Sequence, residues 1–159
     1  MKKVIIISLL TLSFLYSAAP PLVYSNSDTQ TYQSYLSQLE SILITEIKNQ
    51  QLNRLLTAFI MQESRGNAMA YNKPEGAAGI LQIRKIMLDH INAISGKNFT
   101  MNDRFDPKKS KEMFIIVMNK HNPDYDLKKA ALTWNGRGKD GKGSARYYRE
   151  IKQKHRALI

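Results

Sequence analysis

Glu63 stands where a carboxylate is least expected. Leu52, Leu55, Leu56 and Phe59 recur at the three- and four-residue spacing of one helix face, and Glu63 falls four positions beyond Phe59 on that same face. Charge buried there without a partner is costly, and the last turn of a helix adds the negative end of its dipole. Both effects favour the protonated form. A carboxyl held neutral near neutral pH can serve as a general acid, the group that glycosidic cleavage requires. Periodicity alone leaves a second reading open, in which the helix end frays and Glu63 sits in water. Glu75, in the loop that follows, is either a second carboxylate of the kind paired-acid hydrolysis uses or a solvated loop acid.

Other chemistries find less support. The chain has no cysteine, which excludes a disulfide framework, a thiolate zinc site, a cysteine nucleophile and lipid attachment at cysteine. His90, His121 and His155 lie far apart without metal-ligand spacing and read as structural or solvent-facing, so neither a metal nor another cofactor is expected. The seven methionines read as core fillers. Gly136, Gly138, Gly141 and Gly143 alternate with Arg137, Lys139 and Lys142 but lack the strand-to-helix setting of a phosphate cradle; they read as a mobile basic loop.

The elements that would position Glu63 are helical. Tyr32, Tyr35, Leu36, Leu39, Leu43 and Ile47 mark an amphipathic helix over 32–48, after a polar, flexible join at 26–31. A second helix runs from Leu52 and ends near Gly66, followed by a Gly-, Ala-, Asn- and Pro-rich loop over 66–78 with room for a small hairpin. Further helices are expected from Ile80 to Ile94, from Asp106-Pro107 onward, from Leu127 to Trp134, and from a Ser144 cap through Lys154. There are no internal repeats. The fold class is therefore mainly α: a single compact helical domain with a cleft.

The N-terminus has the layout of a secretory signal peptide: Lys2-Lys3, an apolar run from Val4 to Tyr16, then small and turn-prone residues, with a cut expected near Ser25. The alternative is an uncleaved anchor, but the run is short against the roughly 20 residues that cross a ~30 Å hydrocarbon core. No stable membrane span is expected once the segment leaves. The formal charge of +11 points to a polyanionic partner or to a generally basic surface, and loss of residues 1–25 removes two lysines and no acid. Export weighs against nucleic acid as that partner.

Four segments in order carry a family resemblance: Met61-Gln62-Glu63-Ser64-Arg65-Gly66-Asn67, Gly76-Ala77-Ala78-Gly79-Ile80-Leu81-Gln82-Ile83, Thr133-Trp134-Asn135-Gly136 and Tyr147-Tyr148-Arg149-Glu150-Ile151. Their order and spacing over about residues 50–153 resemble the lysozyme-like catalytic domain of soluble lytic transglycosylases. The Glu-Ser pair followed by Gly-x-x-Gln at this separation is the most specific part. The resemblance implies Glu63 as catalytic acid and base, Ser64 as a supporting serine, and Gln82, Trp134, Asn135 and Tyr147 along the substrate cleft. Tyr147 is preferred to Tyr148 because Ile151 then falls where the family has an aliphatic residue. Two departures stand out: Thr133-Trp134 replaces the usual Ala-Tyr, and Arg137 replaces a glycine. Trp134 is either a platform for a sugar ring or a core residue.

What the resemblance implies is an exported enzyme acting on peptidoglycan glycan strands in the periplasm or cell envelope. It would cleave the MurNAc-GlcNAc bond and leave 1,6-anhydromuramic ends, using one carboxyl. The alternatives are a hydrolytic muramidase like the goose-type lysozymes, or an inert peptidoglycan-binding protein. The organisation expected is a signal peptide at 1–25, a linker and helix at 26–49 and the catalytic domain at 50–159. Envelope-spanning secretion or conjugation machinery is a candidate partner, since small single-domain enzymes of this kind open local gaps for such machines.

Overall fold

The computed structural model describes residues 26–135 and 142–158. The expected export segment and most of the glycine-rich basic loop lie outside them. The chain divides into two units, residues 1–43 and 44–159. Helix α1 spans Asn26–Glu63. The expected flexible join at 26–31 is helical instead, and no break separates the two helices expected before Glu63. The reason is local: neither glycine nor proline occurs between Asn26 and Arg65, and the Asn49-Gln50-Gln51 stretch has ordinary helix propensity. Tyr32, Tyr35, Leu39 and Leu43, expected to bury one face, are exposed.

In the second unit, α1 is followed by a minimal antiparallel hairpin. Strand β1 is Tyr71–Asn72 and strand β2 is Ala77–Ala78, with Tyr71 opposite Ala78 and Asn72 opposite Ala77. Among the described residues four helices follow: α2 (Lys85–Ser95), α3 (Pro107–His121), α4 (Leu127–Asn135) and α5 (Lys142–Arg156), with a short 3₁₀ turn at Asn102–Phe105. Asp106 caps α3 by accepting from the Lys108 and Lys109 amides, and Pro107 takes the first helical position. Helix α2 begins at Lys85 rather than at Ile80. The intervening residues turn back so that Ala78 bridges Ile83, and Gly79 (φ 78°) and Gln82 (φ 47°) sit in left-handed backbone that no α-helix accommodates. Helix α5 starts at Lys142, two residues before the expected Ser144 cap.

The core of this unit gathers one face of each helix. Leu55 and Phe59 of α1 are fully buried, as their spacing predicts, and they meet Leu81, Ile91, Met113, Phe114, Ala130 and Ile151. Phe59 is the hub: its ring lies 5.1 Å from Phe114, 6.4 Å from Trp134 and 6.1 Å from Tyr147. This aromatic cluster sits one helical turn before Glu63 and fixes the height at which that carboxyl emerges. The methionines are not uniformly core fillers: Met113 and Met118 are buried, but Met61, Met69 and Met101 are exposed. Among the described residues, no helix is long and apolar enough to cross a membrane.

Candidate active site

Glu63 is the last residue of α1 and is half-buried. Tyr147, on α5, packs its ring edge against Phe59 and donates its hydroxyl to Glu63 Oε1. Burial pushes the Glu63 carboxyl up to about 7; the Tyr147 hydrogen bond and the positive charge of Arg84 pull it down, and Glu75 pushes it up. Burial and the adjacent Glu63 raise the Tyr147 phenol, which therefore keeps its proton and remains the donor. Beside this pair, Gln62 Nε2 donates to Glu150 Oε2 at 2.7 Å, and Arg146 Nε donates to Glu150 Oε1 at 2.8 Å. One carboxylate thus joins α5 to α1 at the residue next to Glu63.

The loop opposite is held by backbone carbonyls. Ser64 Oγ donates to the Ile80 carbonyl at 2.8 Å and accepts from the Gly66 amide at 3.1 Å. Its hydroxyl is engaged in tying the loop to the end of α1, so its support for the site runs through the backbone at Ile80. Gln82 donates Nε2 to the carbonyls of Ala70 and Gly79 at 3.1 and 3.0 Å. Those bonds hold a backbone conformation that disfavours a side chain at this position. Arg104 is buried and, among the described residues, has no carboxylate partner; its Nη1 donates to the Gly76 and Ile83 carbonyls, both at 2.8 Å, and its Nε to the Met101 carbonyl. The loop passes so close that a Cβ on Gly79 would lie 1.7 Å from the Arg104 carbonyl oxygen. Only glycine fits there.

These elements enclose a groove of about 520 Å³ whose lining includes Glu63, Glu75, Gln82, Arg84, Trp134 and Asn135. The structure therefore brings Glu63, Gln82, Asn135 and Tyr147 together from four separate stretches of chain, with Tyr147 reaching the groove through its bond to Glu63. Trp134 is mostly core. It is 6% exposed, its ring lies 4.9 Å from Phe114, and its indole N–H donates to the Leu81 carbonyl at 3.3 Å. The ring is held as part of the groove's wall, mostly in the core, which is one of the two placements the sequence left open.

Sequence reasoning missed Arg84, Met87 and His90, which line the groove from the start of α2. Arg84 is one of many basic residues, and no spacing marks it. The structure adds one contact among the histidines that the sequence did not show. His90 and His121 are remote in sequence but meet across α2 and α3, Nε2 to Nε2 at 2.9 Å. Among the described residues, no group of three or more histidine, aspartate or glutamate side chains is placed to hold a metal ion.

A mainly helical unit with a small hairpin, carrying a half-buried carboxyl at a helix end on the wall of an open groove, defines a lysozyme-like domain. The chain belongs to the transglycosylase SLT domain family, whose model matches residues 40–156. At the family level this is a lytic-transglycosylase-type function acting on peptidoglycan. No curated protein and no solved structure matches the chain significantly.

Proposed function

We propose that this protein is a peptidoglycan lytic transglycosylase that cleaves the MurNAc-GlcNAc bond and leaves a 1,6-anhydromuramic end, with Glu63 as its single acid and base. The observation that carries the reading is the Glu63 carboxyl, half-buried on the groove wall with a proton affinity near neutrality and a tyrosine hydroxyl aimed at it. Protonated Glu63 gives its proton to the bridging oxygen, and the bond from that oxygen to the muramic anomeric carbon breaks. The carbonyl oxygen of the sugar's own N-acetyl group bonds to the anomeric carbon and takes up the developing positive charge. Glu63, now a carboxylate, removes the proton from the 6-hydroxyl. Oxygen 6 attacks the anomeric carbon, the acetamido oxygen leaves, and the anhydro ring closes. The Tyr147 hydroxyl stabilises the carboxylate formed midway. Gln82 and Asn135 position the glycan.

A hydrolytic reading has one observation in its favour: Glu75 lines the same groove and its charge is felt at Glu63. Glu75 is exposed, however, and faces Arg84 at 3.9 Å, the placement of an ordinary loop acid. Export through the N-terminal segment and a periplasmic or envelope location complete the proposal, resting on the Lys2-Lys3, apolar and small-residue order. Work alongside an envelope-spanning secretion or conjugation machine is the role such a small enzyme would suit. The test is direct. Purified protein incubated with sacculi should release muropeptides with anhydromuramic ends; reducing ends in their place would make it a muramidase, and intact sacculi would leave a binding protein.

A further inference from the structure

The groove has a neighbour. A second cavity of about 470 Å³ is lined by Met87, His90, Val117, His121, Lys129, Leu132 and Thr133. Met87 and His90 line both cavities, so the second opens beside the first along α2. Its walls combine a small apolar floor, Val117 and Leu132, with a hydroxyl, an ammonium and a histidine pair.

That pair has a definite geometry. The His90 and His121 ring centroids are 5.1 Å apart, their planes are within 22°, and Nε2 lies 2.9 Å from Nε2. The centroid separation is close to the nitrogen-to-nitrogen distance plus two ring radii, so the rings meet tip to tip. In that arrangement one ring donates N–H and the other accepts. The surroundings oppose more positive charge: burial, then His90, Lys120 and Lys129, pushes His121 below its ordinary value. From α2 the pocket receives His90, from α3 His121 and from α4 Lys129; among the described residues the charges that act on His121 are those of His90, Lys129 and Lys120, the last outside the lining. Such a cavity has the electrostatics of an anion site, with apolar contact for a short aliphatic chain.

We propose that this side pocket binds the carboxylate-bearing stem peptide of the same peptidoglycan strand whose glycan occupies the groove. The idea rests on the function proposed above for its substrate. The stem peptide hangs from the lactyl group of the muramic residue, so a peptide departing from the groove has a cationic pocket beside it. Lys129 and the Thr133 hydroxyl donate to the carboxylate, while Val117 and Leu132 contact the aliphatic side chains.

Two measurements test this and separate it from the cleavage proposal. In the first, an N-lactoyl stem tetrapeptide, which lacks a free amine, is titrated into the whole protein while the His90 and His121 imidazole resonances are followed by NMR. Saturable shifts are expected, with affinity lowered roughly five-fold or more in Lys129→Glu, the scale of one exposed charge contact. Lys129 is exposed and outside the catalytic groove, so the variant should fold. In the second, the protein acts on strands with stem peptides and on strands stripped by an amidase. The wild type should prefer the peptide-bearing strands, and Lys129→Glu should lose that preference while cutting stripped strands at the wild-type rate. Absence of peptide binding, equal cleavage of both strands, or a preference unchanged in Lys129→Glu each overturns the proposal. Peptide binding sensitive to Lys129 in a protein that cuts neither strand would sustain the pocket and remove the cleavage.

Discussion

Replacing Glu63 by glutamine should stabilise the protein, and only above a defined pH. The folded carboxyl is raised from an ordinary value of 4.5 to about 7, chiefly by burial. Between those values the native state binds a proton that the unfolded chain has already released, so wild-type stability falls as pH climbs through the window. At about 1.4 kcal/mol per pH unit the full effect is roughly 3 kcal/mol, and partial exposure of the group brings the expectation to roughly 1–3 kcal/mol. Glutamine keeps the shape, offers an amide oxygen to Tyr147, and does not titrate. Every other ionisable group is shared by the two proteins and largely cancels in the difference. Urea unfolding followed by far-ultraviolet circular dichroism at pH 4 and pH 8 is the assay. The midpoints should nearly coincide at pH 4, with the glutamine variant unfolding at higher urea at pH 8. A difference of the same size at both pH values, or a more stable wild type at pH 8, would refute the claim that Glu63 is held protonated by its surroundings.

Other consequences can be measured alongside. Tyr147→Phe removes a hydrogen bond that favours the ionised form of Glu63, so the alkaline limb of the pH–rate profile, expected near 7 in the wild type, should move upward while the maximal rate falls. Glu75→Gln should keep most activity and the anhydro product, and should move the same limb slightly downward, because the Glu75 charge raises Glu63. Gly79→Ala places a methyl inside van der Waals contact with the Arg104 carbonyl, and should cost more than about 2 kcal/mol in urea unfolding along with activity.

The sequence made the helical half of this structure legible where periodicity and punctuation agree. The stripe from Leu55 to Phe59 is buried as its spacing predicts, and Asp106-Pro107 starts α3 where two capping rules coincide. Glu63 could be singled out for the same reason: a charged group continuing an apolar face is visible in one dimension. The region from Gly79 to Arg84 was not readable, because its course depends on Arg104, distant in sequence, donating to the Gly76 and Ile83 carbonyls. Periodicity sees only Ile80, Leu81 and Ile83 and extends a helix through them. Trp134 was ambiguous because a composition cannot say which neighbour occupies the ring's face; Phe114, on another helix, does. The meeting of His90 with His121 depends on the packing of α2 against α3, and no spacing within either helix announces it.

The central claim is that Glu63 delivers the proton that breaks the glycan and that the sugar's own hydroxyl closes the product. Mass spectrometry of muropeptides released from purified sacculi by wild-type protein and by folded Glu63→Gln tests both halves together. The account predicts anhydromuramic ends from the wild type, and a loss of roughly 10²–10⁴-fold in their release by the variant, the usual contribution of a general acid–base group. Undiminished release by Glu63→Gln, or wild-type products that end in reducing muramic acid, would contradict it.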